Sequence, residues 1–127
     1  MRKKSVKKKP KKTLLRNRLD KEWSLYVRNR DKVCQKCGST SKTLAAHHAF
    51  GRRHLATRWD VFNGISLCFA CHINWAHRDP SGFSEWFREH IGDEQFNRLS
   101  EAHNSIVKLS TKEMESMLDV LVELNNS

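Results

Sequence analysis

Four cysteines and three histidines carry the spacing that could do chemistry in this chain. Cys34 and Cys37 form one Cys-x2-Cys pair, and Cys68 and Cys71 form a second about thirty residues on. Two such knuckles supply the four thiolates that a tetrahedral zinc site requires. A closed four-sulfur site leaves no position for substrate, so this zinc is expected to be structural. His47, His48 and His72 lie within or beside the segments that such a site would draw together, and His72 directly follows Cys71. A neutral imidazole can ligate a metal or take a proton near neutral pH. His54, His90 and His103 stand apart from this group and are read as structural.

The elements that must position these residues can be read from periodicity. Leu15, Leu19, Trp23, Tyr26 and Val27 recur at spacings of three or four, which predicts a helix from about Thr13 to Arg30. A tight turn at Gly38 follows the first knuckle. Thr43 to Phe50 reads as a short strand, the segment after it as a loop, and Asn63-Gly64 as a turn into a brief strand over Ile65 to Leu67. A helix is expected to begin near Cys68 and to end ahead of Pro80. Three more helices are predicted: Gly82 to Ile91, about Asp93 to Ser105, and Thr111 to Leu124, the last with Ser110 as its cap and Glu113 three residues on. Neighbouring side chains on a strand face opposite ways, so His47 and His48 are not expected to share one site unless the strand ends or bends there.

Charge is distributed unevenly. The formal net charge is +10, but residues 1–60 hold 19 Lys or Arg against 4 Asp or Glu, whereas residues 61–127 hold 5 against 10. The basic half suits a polyanion, and nucleic acid is the first partner to consider. No run approaches the roughly 20 apolar residues of a membrane span, and no apolar segment follows the basic start MRKKSVKKKPKK, so neither membrane insertion nor secretion is expected. An intracellular, cytoplasmic setting keeps the thiols reduced for metal binding. KKKPKK also fits a nuclear address. The organisation expected is a basic, disordered tail over 1–12, an N-terminal helix over 13–33, a metal module over 34–80 and a helical extension over 81–127. The apolar stripe of the last helix is also able to form a homodimer seam.

The order His48, Asn63, His72, with NGISLCFACH read as Asn-x4-Cys-x2-Cys-His, resembles the HNH nuclease family, over about Cys34 to His77. Together with the cysteine frame it is most similar to the zinc-stabilised HNH proteins of phages and bacterial mobile elements. The resemblance implies an α+β fold built on a small ββα-metal module, and DNA phosphodiester hydrolysis that leaves 5′ phosphate and 3′ hydroxyl ends. It makes His48 the general base and His47 and His72 ligands of a catalytic divalent metal, and it has Asn63 hold the loop and base geometry. Relatives often carry a carboxylate where His47 stands; histidine admits Zn, Ni, Co or Mn, whereas Mg prefers oxygen. Some relatives place a third ligand four residues after the second, which is Ala76 here. His77 lies five residues on, about 140° round a regular helix, so a phosphate contact or a capping role suits it better than ligation. Arg52, Arg53 and Arg58, in the loop between His48 and Asn63, are placed to hold phosphates. The alternative from a different class is a zinc-stapled DNA-binding adaptor that cuts nothing, for which the histidine set has no use.

Overall fold

The computed structural model describes residues 10–40 and 43–127. Helix α1 spans Lys11–Asp31 and opens directly after Pro10. Proline is tolerated at a helix start because the N–H it lacks would have no intrahelical partner there. Lysine is a good helix former, so the helix begins two residues inside the stretch expected to be tail. The remainder of that tail lies outside the described residues. Lys32 closes α1 in a left-handed conformation, φ +65°, with its N–H on the Arg28 carbonyl.

The sheet has two antiparallel strands, β1 (Leu44–His48) and β2 (Gly64–Cys68), paired from Leu44 opposite Cys68 to His48 opposite Gly64. Every residue of β2 is buried, because the sheet is covered on both faces. Gly64 and Ser66 point at α1, where the Ser66 hydroxyl donates to the Val27 carbonyl. Ile65 and Leu67, one step out of phase, enter the second core with Phe83, Phe87 and Leu99. Arg30 and Asp31 fasten the end of α1 to β2: Arg30 donates to the carbonyls of Val61 and Gly64, and the Asp31 carboxylate accepts the Ser66 N–H at 2.8 Å.

Between the strands the expected loop contains one short helix, α2 (Leu55–Arg58), and a 3-10 turn over Val61–Asn63 that the Asp60 side chain caps. The Asn63-Gly64 pair is therefore not the predicted hairpin turn. Gly64 has ordinary extended backbone, φ −114°. Its reason for being glycine is space, since a Cβ there would lie 2.5 Å from Val27 Cγ2 and 2.6 Å from Trp23 Cζ2. Gly64→Ala is expected to destabilise the protein by about 1–3 kcal/mol through overpacking, read as a lower urea midpoint at unchanged m-value.

After β2 come a π-helix (Ala70–Ala76), then α3 (Pro80–Ile91), α4 (Asp93–His103) and α5 (Thr111–Asn125). Pro80 does not merely stop the preceding helix; it is the first residue of α3, capped by Asp79, whose carboxylate accepts the Gly82 N–H at 3.0 Å. Ser110 caps α5 as expected, accepting the Glu113 N–H at 3.1 Å. The terminal helices pack on each other: Leu15, Leu19, Trp23 and Val27 of α1 meet Met114, Leu118 and Leu121 of α5. The stripe offered above as a dimer seam is thus used within one chain, which leaves Val120 and Leu124 on the outer side. The architecture is mixed helix and sheet, as expected for a small α+β module with flanking helices. Among the described residues no helix is long and apolar enough to cross a membrane.

Candidate functional site

The first knuckle follows α1 and turns at Gly38, φ +76°, a conformation that glycine adopts without steric cost. The Gly38 N–H bonds the Cys34 carbonyl at 2.8 Å, and the Gln35 N–H reaches the Ser66 carbonyl at 3.0 Å, which ties the knuckle to β2. The second knuckle begins where β2 ends at Cys68 and enters the π-helix at Cys71. The four sulfurs lie within 4.8 Å of one another. Cys37 Sγ and Cys68 Sγ are 3.7 Å apart, close to the roughly 3.8 Å edge of a tetrahedron with metal–sulfur bonds of about 2.3 Å. This group is able to hold a structural metal such as zinc. Burial pushes the Cys34 thiol up, but backbone N–H groups of Cys37, Cys68 and Lys36 outweigh it and bring the thiol down to about 6. Burial and the neighbouring sulfurs push Cys71 up. Four adjacent sulfurs cannot all be thiolates without a cation among them.

The second cluster is His47, His72 and His77, whose ligand nitrogens also lie within 4.8 Å of one another. The π-helix explains why His77 belongs to it. Its i→i+5 hydrogen bond, from the His77 N–H to the His72 carbonyl at 3.1 Å, widens the turn so that residues five apart stand on one face. The 140° offset of a regular helix does not apply, and the expectation that His77 points away from His72 is corrected. The two Nε2 atoms are 3.0 Å apart, within hydrogen-bond distance of each other and a little closer than the roughly 3.4 Å between two nitrogens on a tetrahedral zinc with bonds of about 2.1 Å. His47 reaches them from β1, with ring centroids 5.1 Å from His72 and 5.3 Å from His77, and rests edge-on against Phe83 at 4.7 Å. His77 is exposed, so the cluster opens to solvent.

His48 faces the other way, as strand alternation requires. Its ring stacks on Trp23 of α1, with centroids 3.9 Å apart and planes 10° apart, and its Nε2 lies 2.8 Å from the Arg58 carbonyl oxygen. A carbonyl only accepts, so Nε2 carries the proton and a neutral ring keeps its lone pair on Nδ1. Asn63 is fully buried and clamps the intervening loop: its Nδ2 donates to the carbonyls of Phe50 and Thr57 at 3.0 and 2.9 Å, and its Oδ1 accepts the Phe50 N–H at 2.7 Å.

The three arginines part company. Arg58 is engaged on Asp20 through Nε and Nη2 at 3.0 and 2.7 Å, with its side chain only 14% exposed. Its guanidinium is not free for phosphate, which corrects that expectation. Arg52 touches the same carboxylate at 3.2 Å but is 63% exposed. Arg53 is exposed. His54 and His103, outside the motif, form their own contact with ring centroids 3.9 Å apart. Asp20 escaped the sequence reading, and Trp23 was read only as a core residue of the α1 stripe, because their roles at His48 need α1 laid against β1.

Burial and the adjacent imidazoles of His72, His77 and His48 lower the His47 pKa from 6.5 to about 4. Burial also lowers His48 against the opposing pull of the Arg58 carbonyl and Asp20, and burial lowers His72 and His103. All four are therefore neutral at pH 7, with lone pairs available. In the unfolded chain such groups protonate near 6.5, so below that pH the unfolded state binds more protons than the folded one. Stability is thus expected to fall as pH drops through 6.5 toward the folded value of about 4, seen as a declining urea midpoint.

Compared with known proteins, the chain matches no family model, no curated protein and no solved structure. The functional reading rests on the geometry of the site itself.

Proposed function

We propose that this protein is a metal-dependent endonuclease that hydrolyses DNA phosphodiester bonds, with a zinc ion on Cys34, Cys37, Cys68 and Cys71 as its structural staple. The observation that carries this reading is the cluster of His47, His72 and His77, three imidazoles brought together by β1 and the π-helix and open on one side. Structural histidines have no need to converge, and three together repel one another on protonation. Three nitrogen donors that leave coordination positions open suit a catalytic divalent ion, with Zn, Ni, Co or Mn favoured over Mg. Such an ion, when bound, polarises a phosphoryl oxygen and stabilises charge on the leaving oxygen.

His48 is the general base. It is neutral at pH 7, its ring plane is fixed by Trp23, and its Nε2–H is committed to the Arg58 carbonyl, so Nδ1 is the nitrogen that takes a proton from water. In-line displacement puts the attacking and leaving oxygens on opposite sides of phosphorus. Such a displacement requires the phosphate to sit at the end of β1, where the adjacent His47 and His48 leave the strand on opposite faces. Asn63 holds the loop that carries Arg52 and Arg53, the two arginines left to contact phosphate. The order His48, Asn63, His72 and its resemblance to HNH nucleases support the same reading, and the basic half of the chain suits DNA.

The test is incubation of purified protein with supercoiled plasmid and a panel of Mg, Mn, Co, Ni and Zn, scored for nicked and linear products. Metal-dependent conversion that stops with chelator is expected. DNA binding without cleavage in any metal would replace this reading with the zinc-stapled adaptor.

A further inference from the structure

We propose that Asp20, on α1 and outside the cysteine and histidine segments, is a positioning residue that keeps the His48 proton on Nε2 and its Nδ1 lone pair available. This inference rests on His48 being the base. The acceptor that selects the tautomer is the Arg58 carbonyl, 2.8 Å from Nε2. That carbonyl ends α2, a helix of four residues without a side-chain cap, and so short a helix cannot hold its own last peptide in place. The carbonyl belongs to the peptide that joins Arg58 to Trp59, and the side chains on both sides of this peptide end on Asp20. Arg58 donates from Nε at 3.0 Å and from Nη2 at 2.7 Å, and the Trp59 indole N–H donates at 2.8 Å. One carboxylate thus pins the peptide from both ends. Trp59 is 3% exposed, so its bond to Asp20 is shielded from water.

The same helix face controls the ring itself. Trp23 stands three residues after Asp20, the spacing that places two side chains on one side of a helix. It stacks on His48, and its own indole N–H is held by the Asp60 carbonyl at 2.8 Å. Trp23 therefore fixes the plane of the imidazole, while Asp20, acting through Arg58 and Trp59, fixes the group to which it donates. Arg52 reaches Asp20 at 3.2 Å from the solvent side and adds little to this brace.

The test reads the tautomer directly. Long-range nitrogen–proton correlation spectra of the full chain, loaded with diamagnetic zinc at neutral pH, should show His48 protonated on Nε2 in the wild type. In Asp20→Ala the spectrum should show a mixture with the Nδ1–H form, and single-turnover cleavage should fall roughly tenfold at unchanged DNA affinity, a smaller loss than the roughly 10²–10⁴-fold that removing the base itself would cause. Asp20→Asn keeps the side-chain volume and serves if Asp20→Ala does not fold; the same direction with at least about a threefold loss is expected there. A wild-type His48 that is not on Nε2–H, or a pure Nε2–H signal in the folded variant, overturns the proposal. A wild-type protein that shows the Nε2–H signal but cuts no DNA instead overturns the nuclease reading, so the two failures are distinguishable.

Discussion

Replacing Cys68 by serine should abolish the fold of the sheet-centred half of the protein. Cys68 is buried at the end of β2, pairs with Leu44 across the sheet and begins the second knuckle. Losing one of four thiolates forfeits a large part of the roughly 10–16 kcal/mol that a structural zinc contributes in small domains. A whole domain retains only about 5–15 kcal/mol of net stability, so little else can compensate. The second core also leans on this corner, since Cys34 and Cys68 are members of the same buried cluster as Leu67 and Phe87. Metal analysis should find one tightly held zinc per wild-type chain and none in Cys68→Ser, with loss of a cooperative urea transition. Native protein with four free thiols, no zinc and an intact fold would sink the staple.

His47→Ala addresses the second cluster. It removes the donor supplied by β1 and leaves His72 and His77 on the π-helix. If the proposed second ion is bound there, removing a ligand should weaken its binding by roughly 100-fold or more, beyond the 10–100-fold typical of losing a supporting partner. Cleavage at low metal should vanish and return in part as metal is raised. His77→Ala should follow the same pattern. Zinc at the four cysteines should be unaffected, which calorimetric titration of the second ion would separate from the first. A variant that titrates the second ion as tightly as wild type would remove His47 from the ligand set.

Much of this arrangement was readable from residue order because it depends on local rules. The α1 stripe of Leu15, Leu19, Trp23 and Val27, the cap at Ser110 and the two knuckles all follow from spacing alone. Strand alternation also anticipated that His47 and His48 would part. What escaped the sequence was set by longer-range packing. The π-helix is invisible to a periodicity of 3.6, so His77 was placed off the face that it shares with His72. Arg58 looked like a phosphate contact because the sequence shows a basic loop but not the carboxylate, 38 residues away, that takes its guanidinium. Gly64 looked like a turn residue, and only the approach of Val27 and Trp23 gives its reason.

The central claim, that His48 is the general base of a metal-dependent nuclease, is tested most directly by the single-turnover rate of plasmid cleavage for wild type and His48→Ala, both confirmed folded and loaded with the same ions. His48 points away from the cysteine and histidine clusters, so its loss should leave zinc, the second ion and DNA affinity in place. The account predicts a rate lower by roughly 10²–10⁴-fold, with no recovery at any metal concentration because added metal does not replace a proton acceptor. Cleavage by His48→Ala at the wild-type rate would contradict it.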